Sequence, residues 1–378
     1  MYHPTKLRGW SSGELFMVNK RSAIIAVIVV VTLVAAGMFA FIGLGDNKGK
    51  TAGTIVLIDA LGNNVTLNST PVKVVSASPS TTELLYAIGA SGSIVGVTDY
   101  CDYPLNATGK SPKEIFTSIG GFYSPSFEKI ASLDPDLVLL DGGVKKQKDL
   151  MPQLDSVGIK YVALYPGKNV TEIQNNIRYV GQIFDKEEKS NSLIGDMEEK
   201  LSTISNAVSN VTPKLKVMVM VAFSPTIYVN GGNTFINDII NAAGGINVFG
   251  NATGYATISK EGVVQANPDV IIVTASMIPG LTAQEVLDQI KGDVLLKNTQ
   301  AAIDNKVYVL ENQAESCFLR QGIRVVQATQ LLADMLYPTI FGETIPNVMG
   351  NEYVNYLPES WNTDSTTART VMTSVQSW

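Results

Sequence analysis

The chain has 378 residues, 45% of them hydrophobic and 16% charged, and a formal net charge of −6; it is too long for one typical domain and too acidic to favour nucleic acid as a partner. Its single histidine is His3, and its two cysteines are Cys101 and Cys317. Ser-His-Asp triads, Cys-His dyads and histidine-rich zinc centres all need an imidazole inside a folded domain, so those chemistries are excluded.

From the N-terminus, Ser22–Leu44 carries no charge and is dominated by Ile, Val, Ala and Phe, long enough as a helix to cross ~30 Å of hydrocarbon. Lys6, Arg8, Lys20 and Arg21 precede it, and Asp46 comes before the few lysines that follow. This asymmetry predicts a cytoplasmic tail (1–21), a transmembrane anchor (22–44), a Gly/Lys linker (45–53) and an extracytoplasmic remainder. The apolar run exceeds a signal peptide's ~7–15 residues and has neither a small-x-small cleavage site nor a lipobox cysteine, which favours retention. Sequons at Asn64, Asn68, Asn106, Asn169, Asn210 and Asn251 fit an exported chain.

Beyond the linker, strand-like and helix-like runs alternate: Lys73–Ser76, Thr81–Ile88, Ile94–Thr98, Ser126–Leu133 and Leu137–Leu140. The alternation resumes at Val217–Val221 and continues through Phe235–Ala242, Lys260–Ala266, Val270–Val273 and Val307–Leu310 to a helix over Gly322–Leu336. The pattern predicts two α/β lobes of Rossmann-like character, 54–184 and 211–340. Between them, Leu193, Met197, Leu201, Ile204 and Val208 fall on one helical face, so a single long helix over 185–210 is expected to join the lobes and limit their closure.

A gapless internal repeat sets Phe127–Leu140 against Lys260–Val273. Each copy reads as a serine N-cap (Ser126, Ser259), a short helix, a Pro-Asp turn and a buried strand. Glu128 and Glu261 therefore hold equivalent places, one per lobe. Helix-dipole chemistry accounts for acids there; so does docking of two knobs onto a two-fold symmetric membrane dimer.

Three segments, Val74–Gly89, Val95–Pro104 and Ile119–Glu128, together with the Pro-Asp repeats and Arg320–Leu331, resemble the helical-backbone substrate-binding proteins of ABC importers. That family includes the vitamin B12-binding and ferric-siderophore-binding periplasmic proteins. The resemblance runs from about Ile55 to Tyr337 and implies two lobes on one long helix, a ligand held between them, and delivery to a permease dimer with cytoplasmic ATPases. It implies a monomeric binding protein with no catalysis and no resident cofactor. Under it, Glu128 and Glu261 become the permease-docking pair, and Ser80, Tyr100, Phe122, Phe223, Tyr255 and Arg320 match ligand-contacting positions. Aromatics there would stack on a large planar chelate.

The match is incomplete: Asp141 stands where the B12-binding relatives have tryptophan, and Ser316 where they have an acid, with Glu315 adjacent. Tyr123 and Tyr255 would suit ferric iron or haem, since phenolate is a hard oxygen ligand. Cobalamin, ferric siderophore and haem all remain open as ligand. The Ser78–Glu83 turn offers helix N–H groups to a ligand anion or simply a cap from Ser80 or Thr81; Arg320 is the stronger anion site. Cys101 and Cys317 fall near the cleft and are expected to stay separate thiols. The 341–378 extension is expected to pack partly on the second lobe. A carboxylate-based hydrolase and a sensor or adhesion ectodomain are the alternatives.

Overall fold

The computed structural model describes residues 54–362, apart from residues 224, 225, 277 and 279. The expected tail, the Ser22–Leu44 anchor, the linker, and the extension from residue 363 lie outside the described residues. Among the described residues no helix is long and apolar enough to cross a membrane.

The first lobe opens with a hairpin absent from the expected elements, β1 (Ile55–Ile58) paired antiparallel with β2 (Asn64–Leu67). Asp59 shapes its turn by accepting the amides of Leu61 (2.9 Å) and Asn63 (2.8 Å). Then come β3 (Val74–Ser76), β4 (Ile94–Val97), β5 (Thr117–Ser118), a small hairpin of β6 (Gly120–Gly121) and β7 (Ser124–Pro125), β8 (Leu137–Asp141) and β9 (Tyr161–Leu164). The five-stranded sheet runs β5-β4-β3-β8-β9, with every pairing parallel. Val74, Val75, Leu137–Leu140 and Val162 are fully buried, as strands covered on both faces require.

The second lobe holds β10 (Lys216–Ala222), β11 (Ile227–Asn230), β12 (Ile246–Asn247), β13 (Tyr255–Ile258), β14 (Val270–Thr274), β15 (Val307–Leu310) and β16 (Val348–Met349) in a seven-stranded sheet. β11 and β13 are antiparallel additions at one edge; β10, β12, β14, β15 and β16 are parallel.

The internal repeat is a repeated tertiary unit. Ser126 Oγ accepts the Lys129 amide (3.2 Å), and Ser259 Oγ accepts the Gly262 amide (3.1 Å), capping helices Phe127–Ser132 and Lys260–Ala266. Asp134 and Asn267, aligned in the repeat, both take positive φ (46° and 43°), a conformation that Asp and Asn tolerate better than other non-glycine residues. Asp136 then accepts the Lys73 amide (2.9 Å), just as Asp269 accepts the Lys216 amide (2.7 Å). Each repeat aspartate thus fixes the start of the neighbouring strand, β3 or β10.

The joining helix is Glu187–Ala207, 21 residues and ~31 Å long. On the expected face, Met197, Ile204 and Val208 are buried, while Leu193 and Leu201 are partly buried against the same core. The helix packs on Val170–Ile183 of the first lobe and on Phe235–Ala242 and Val325–Leu336 of the second. One hydrophobic core therefore runs through it, from Leu139 in β8 to Leu310 in β15. The helix expected from Gly322 begins later, at Val325. The described part of the extension, 341–362, packs on the second lobe: β16 extends the sheet beside β15, and the buried Tyr353 donates its hydroxyl to Gln327 (2.9 Å).

Candidate ligand-binding cleft

The first lobe's wall begins where β3 passes into helix Pro79–Ala87. Proline at the first helical position suits its fixed φ, and the N-cap residue is Ser78, whose side chain makes no cap hydrogen bond. The cap expected from Ser80 or Thr81 is thus replaced by a Ser78 Oγ–Ser80 Oγ contact of 2.8 Å. Ser80 sits at the lobe junction, where a Cβ on Gly322 would come within 3.0 Å of its own Cβ. The crevice there, lined by Ser80, Thr81, Leu84, Gln321 and Gly322, has room for about one water molecule. Anything larger must lie farther out.

Farther out stand the tyrosines. Tyr100 (58% exposed) follows β4, Tyr123 (72%) tips the β6–β7 hairpin, and Tyr255 (53%) begins β13 in the opposite lobe. Phe122 meets Tyr123 edge to face at 4.7 Å between centroids. The hairpin depends on Gly120, whose φ is +100° and whose missing Cβ would stand 3.0 Å from the Ser124 carbonyl. Buried Gln147 anchors it: Nε2 donates to the carbonyls of Phe122 and Ala77 (2.9 Å each), and Oε1 accepts the Asp141 amide (2.8 Å).

Burial, then the nearby charge of Asp141, push the Tyr123 hydroxyl above its ordinary value. Burial, then Tyr123, do the same to Tyr255. Tyr123 and Asp141 of one lobe and Tyr255 of the other therefore lie within electrostatic reach of one another. Asp141 itself is pushed up to about 6 by burial, with the Gly143 and Val144 amides opposing. In the second lobe, burial raises the Glu315 carboxyl although Ser276 donates to it through both hydroxyl (2.6 Å) and amide (3.0 Å).

Two expected ligand residues are placed differently. Phe223 is 7% exposed and packs in the second lobe's core, with the Lys260 ammonium 5.7 Å from its ring centre, so it offers no free face for stacking. Arg320 is not a free anion site. Its Nη1 donates to Glu83 Oε1 (2.8 Å), and its Nη2 to Asp102 Oδ1 (2.7 Å) and the Tyr100 carbonyl (3.0 Å). Arg324 grips the same Glu83 through Nε (2.9 Å) and Nη2 (2.7 Å) and lies 4.3 Å from the Tyr103 ring centre. Burial alone would raise the Asp102 carboxyl, but Arg320 overrides it and holds the group below its ordinary value. Glu83, Asp102, Arg324 and Gln147 have no signal in the periodic pattern, because the contacts that define them reach far along the chain: Glu83 to Arg320 and Arg324, Asp102 to Arg320, and Gln147 to Ala77 and Phe122.

Cys101 and Cys317 are unpaired and buried, as expected, and burial pushes both thiols up. Glu128 and Glu261 stand exposed in the first turns of the two repeat helices. Each follows shortly after a cleft tyrosine, Tyr123 or Tyr255, so the knobs and the tyrosines share corresponding segments of the two lobes.

Residues 74–314 match the model of the periplasmic binding protein family. The chain belongs to that family. This binding protein is 28% identical over 331 residues to an uncharacterized ABC transporter substrate-binding lipoprotein of Bacillus subtilis, covering 86% of the present chain and 100% of that protein. It is 25% identical to a vitamin B12-binding protein of Photorhabdus laumondii, over 71% of the present chain and 90% of the relative. A possible iron-binding periplasmic solute-binding protein of Staphylococcus epidermidis superposes with a TM-score of 0.61 at 25% identity, over 71% of this chain and all of that one. These relatives are transport binding proteins, and the hydrolase alternative falls with them.

Proposed function

We propose that this protein is the extracytoplasmic receptor of an ABC importer and captures a metal chelate of the cobalamin, ferric-siderophore or haem class. The observation that carries the ligand class is the set of exposed tyrosines from both lobes, Tyr100, Tyr123 and Tyr255. Flat, half-exposed rings on opposing walls suit a large planar or aromatic-rimmed ligand. Phenol oxygens are hard ligands suited to Fe(III), and the partly exposed Tyr123 and Tyr255 bring one from each lobe, which makes a ferric chelate bound through either of them the sharper reading. Asp141 supports it, since a carboxylate where the B12-binding relatives carry tryptophan removes one stacking surface.

The chelate is cargo, and the receptor needs no resident cofactor. Glu128 and Glu261 dock the monomeric receptor onto a permease dimer served by cytoplasmic ATPases, and Ser22–Leu44 holds it at the membrane. High-salt washing leaves such an anchor in place, because apolar burial is insensitive to charge screening. The ligand test is titration of the full chain, in detergent, with cyanocobalamin, haemin and a ferric hydroxamate. Visible absorption reports a metal–phenolate band and tyrosine emission reports stacking. Binding of none of the three in the low micromolar range would sink the proposal; a charge-transfer band lost in Tyr123→Phe or Tyr255→Phe selects the ferric reading.

A further inference from the structure

Arg320 closes the helix Asn312–Leu319 in the second lobe, yet all its hydrogen-bond acceptors named above belong to the first. Glu83 and Arg324 bury it from behind, with side chains 1% and 3% exposed, and Arg320 itself is 14% exposed. Two carboxylates and two guanidiniums make the cluster charge-neutral. With each acid gripped by at least one short contact, it meets the conditions under which a buried ion pair is tolerated. The outermost member, Asp102, is 32% exposed and marks the cleft side. The segment it belongs to carries Tyr100, whose ring lies over Gly121 of the hairpin, its Cε2 3.7 Å from where a Cβ would be.

We infer that Arg320 is a positioning residue: it straps the Tyr100–Asp102 segment of one lobe to the other lobe and so sets where the Tyr100 ring stands in the cleft. The strap also explains why this arginine, at a position expected to meet ligand, has its donors turned to protein acceptors. A ligand anion would have to displace Asp102 to reach them. The inference rests on the proposed function only for the part that concerns ligand affinity.

Two variants in the full chain test it. Asp102→Ala removes the outer acceptor, and Asp102→Asn keeps an acceptor without the charge. Without ligand, amide hydrogen exchange over residues 99–104 should quicken by about tenfold in Asp102→Ala and by less in Asp102→Asn. Exchange in the joining helix should stay as in the wild type. Affinities for haemin and cyanocobalamin should both weaken by about three- to tenfold, again with partial rescue in Asp102→Asn. Should Asp102→Ala not fold, Arg320→Lys, which keeps the charge but loses the two-pronged grip, is expected to give the same exchange pattern. Unchanged exchange over 99–104 would overturn the strap. So would tighter haemin binding in Asp102→Ala, because freeing an anion-binding arginine has that effect. If haemin, cyanocobalamin and the ferric hydroxamate all fail to bind the wild type, the proposed function fails while the exchange result still decides the inference.

Discussion

Asp141 and Tyr123 are two side chains whose surroundings push in the same direction. With the carboxyl at about 6, Asp141 is mostly neutral below that pH and charged above it. A charge there acts on an anionic chelate with about 1 kcal/mol at the separations of a cleft wall. Haemin affinity is therefore expected to fall about fivefold as pH rises from 5 to 7.5, while binding of uncharged cyanocobalamin stays level. Asp141→Asn should flatten the haemin curve. Isothermal titration across that range checks it, and a pH dependence that survives the substitution would remove Asp141 from the cleft. Tyr100 and Tyr255 were legible from family resemblance and Tyr123 from the chemistry of phenol ligands, but Gln147, which holds the Tyr123 hairpin, was not. Nothing in a lone glutamine between lysines indicates that it is fully buried, because its carbonyl partners are Phe122 and the distant Ala77.

At the level of elements, the joining helix and its neighbour Val325–Leu336 determine how stiff the receptor is. Ile204 is fully buried in the core shared by both lobes. Ile204→Ala should cost about 2–5 kcal/mol, whereas Leu201→Ala, only partly buried, should cost well under half of that; urea unfolding of both variants provides the comparison. Within Val325–Leu336, Asp334 is buried, accepts Gln330 Nε2 (2.8 Å) through Oδ1, and leaves Oδ2 without a partner. Burial pushes its carboxyl up to about 7. A raised carboxyl binds its proton more tightly in the folded state, so its contribution to stability falls as pH rises from about 4 to about 7 and is level above that. Asp334→Asn keeps the Gln330 contact and should gain on the order of 2–3 kcal/mol at pH 8, with a gain that shrinks toward pH 4. Equal melting-point shifts at pH 4 and pH 8 would contradict this origin.

For the whole molecule, the question is how two lobes on one shared core engage a membrane partner. The core that passes through the joining helix and the Glu83–Arg324 cluster at the lobe junction both oppose wide opening, so scattering profiles with and without ligand should be nearly superimposable. Glu128 carries its charge on a first helical turn, where its own amide and then the Ser126 hydroxyl hold the carboxyl below its ordinary value. It is thus ionised throughout the physiological range. Replacing Glu128 and Glu261 together with Ala should leave chelate affinity within about twofold and cut uptake into vesicles bearing the cognate permease by about tenfold or more. The wild-type rate should also fall with salt, as exposed charge pairs do. Normal uptake by the double variant would reject docking, and lost ligand affinity would move the two acids into the fold or the cleft.

Periodicity and repetition alone determined the two α/β lobes, the long joining helix and the paired glutamates. These rest on local order: apolar runs, a four-four-three-four helical face, and serine caps three residues from the amides they accept. Tertiary structure decided everything that depends on partners distant in the chain. It directed the Arg320 guanidinium to first-lobe acceptors, took Phe223 into the core beneath Lys260, and joined the 341–362 segment to the second sheet through β16. The reason is physical: a charged or aromatic side chain is assigned its role by whichever group desolvates it or completes its hydrogen bonds, and for Arg320 that group is Glu83, 237 residues away.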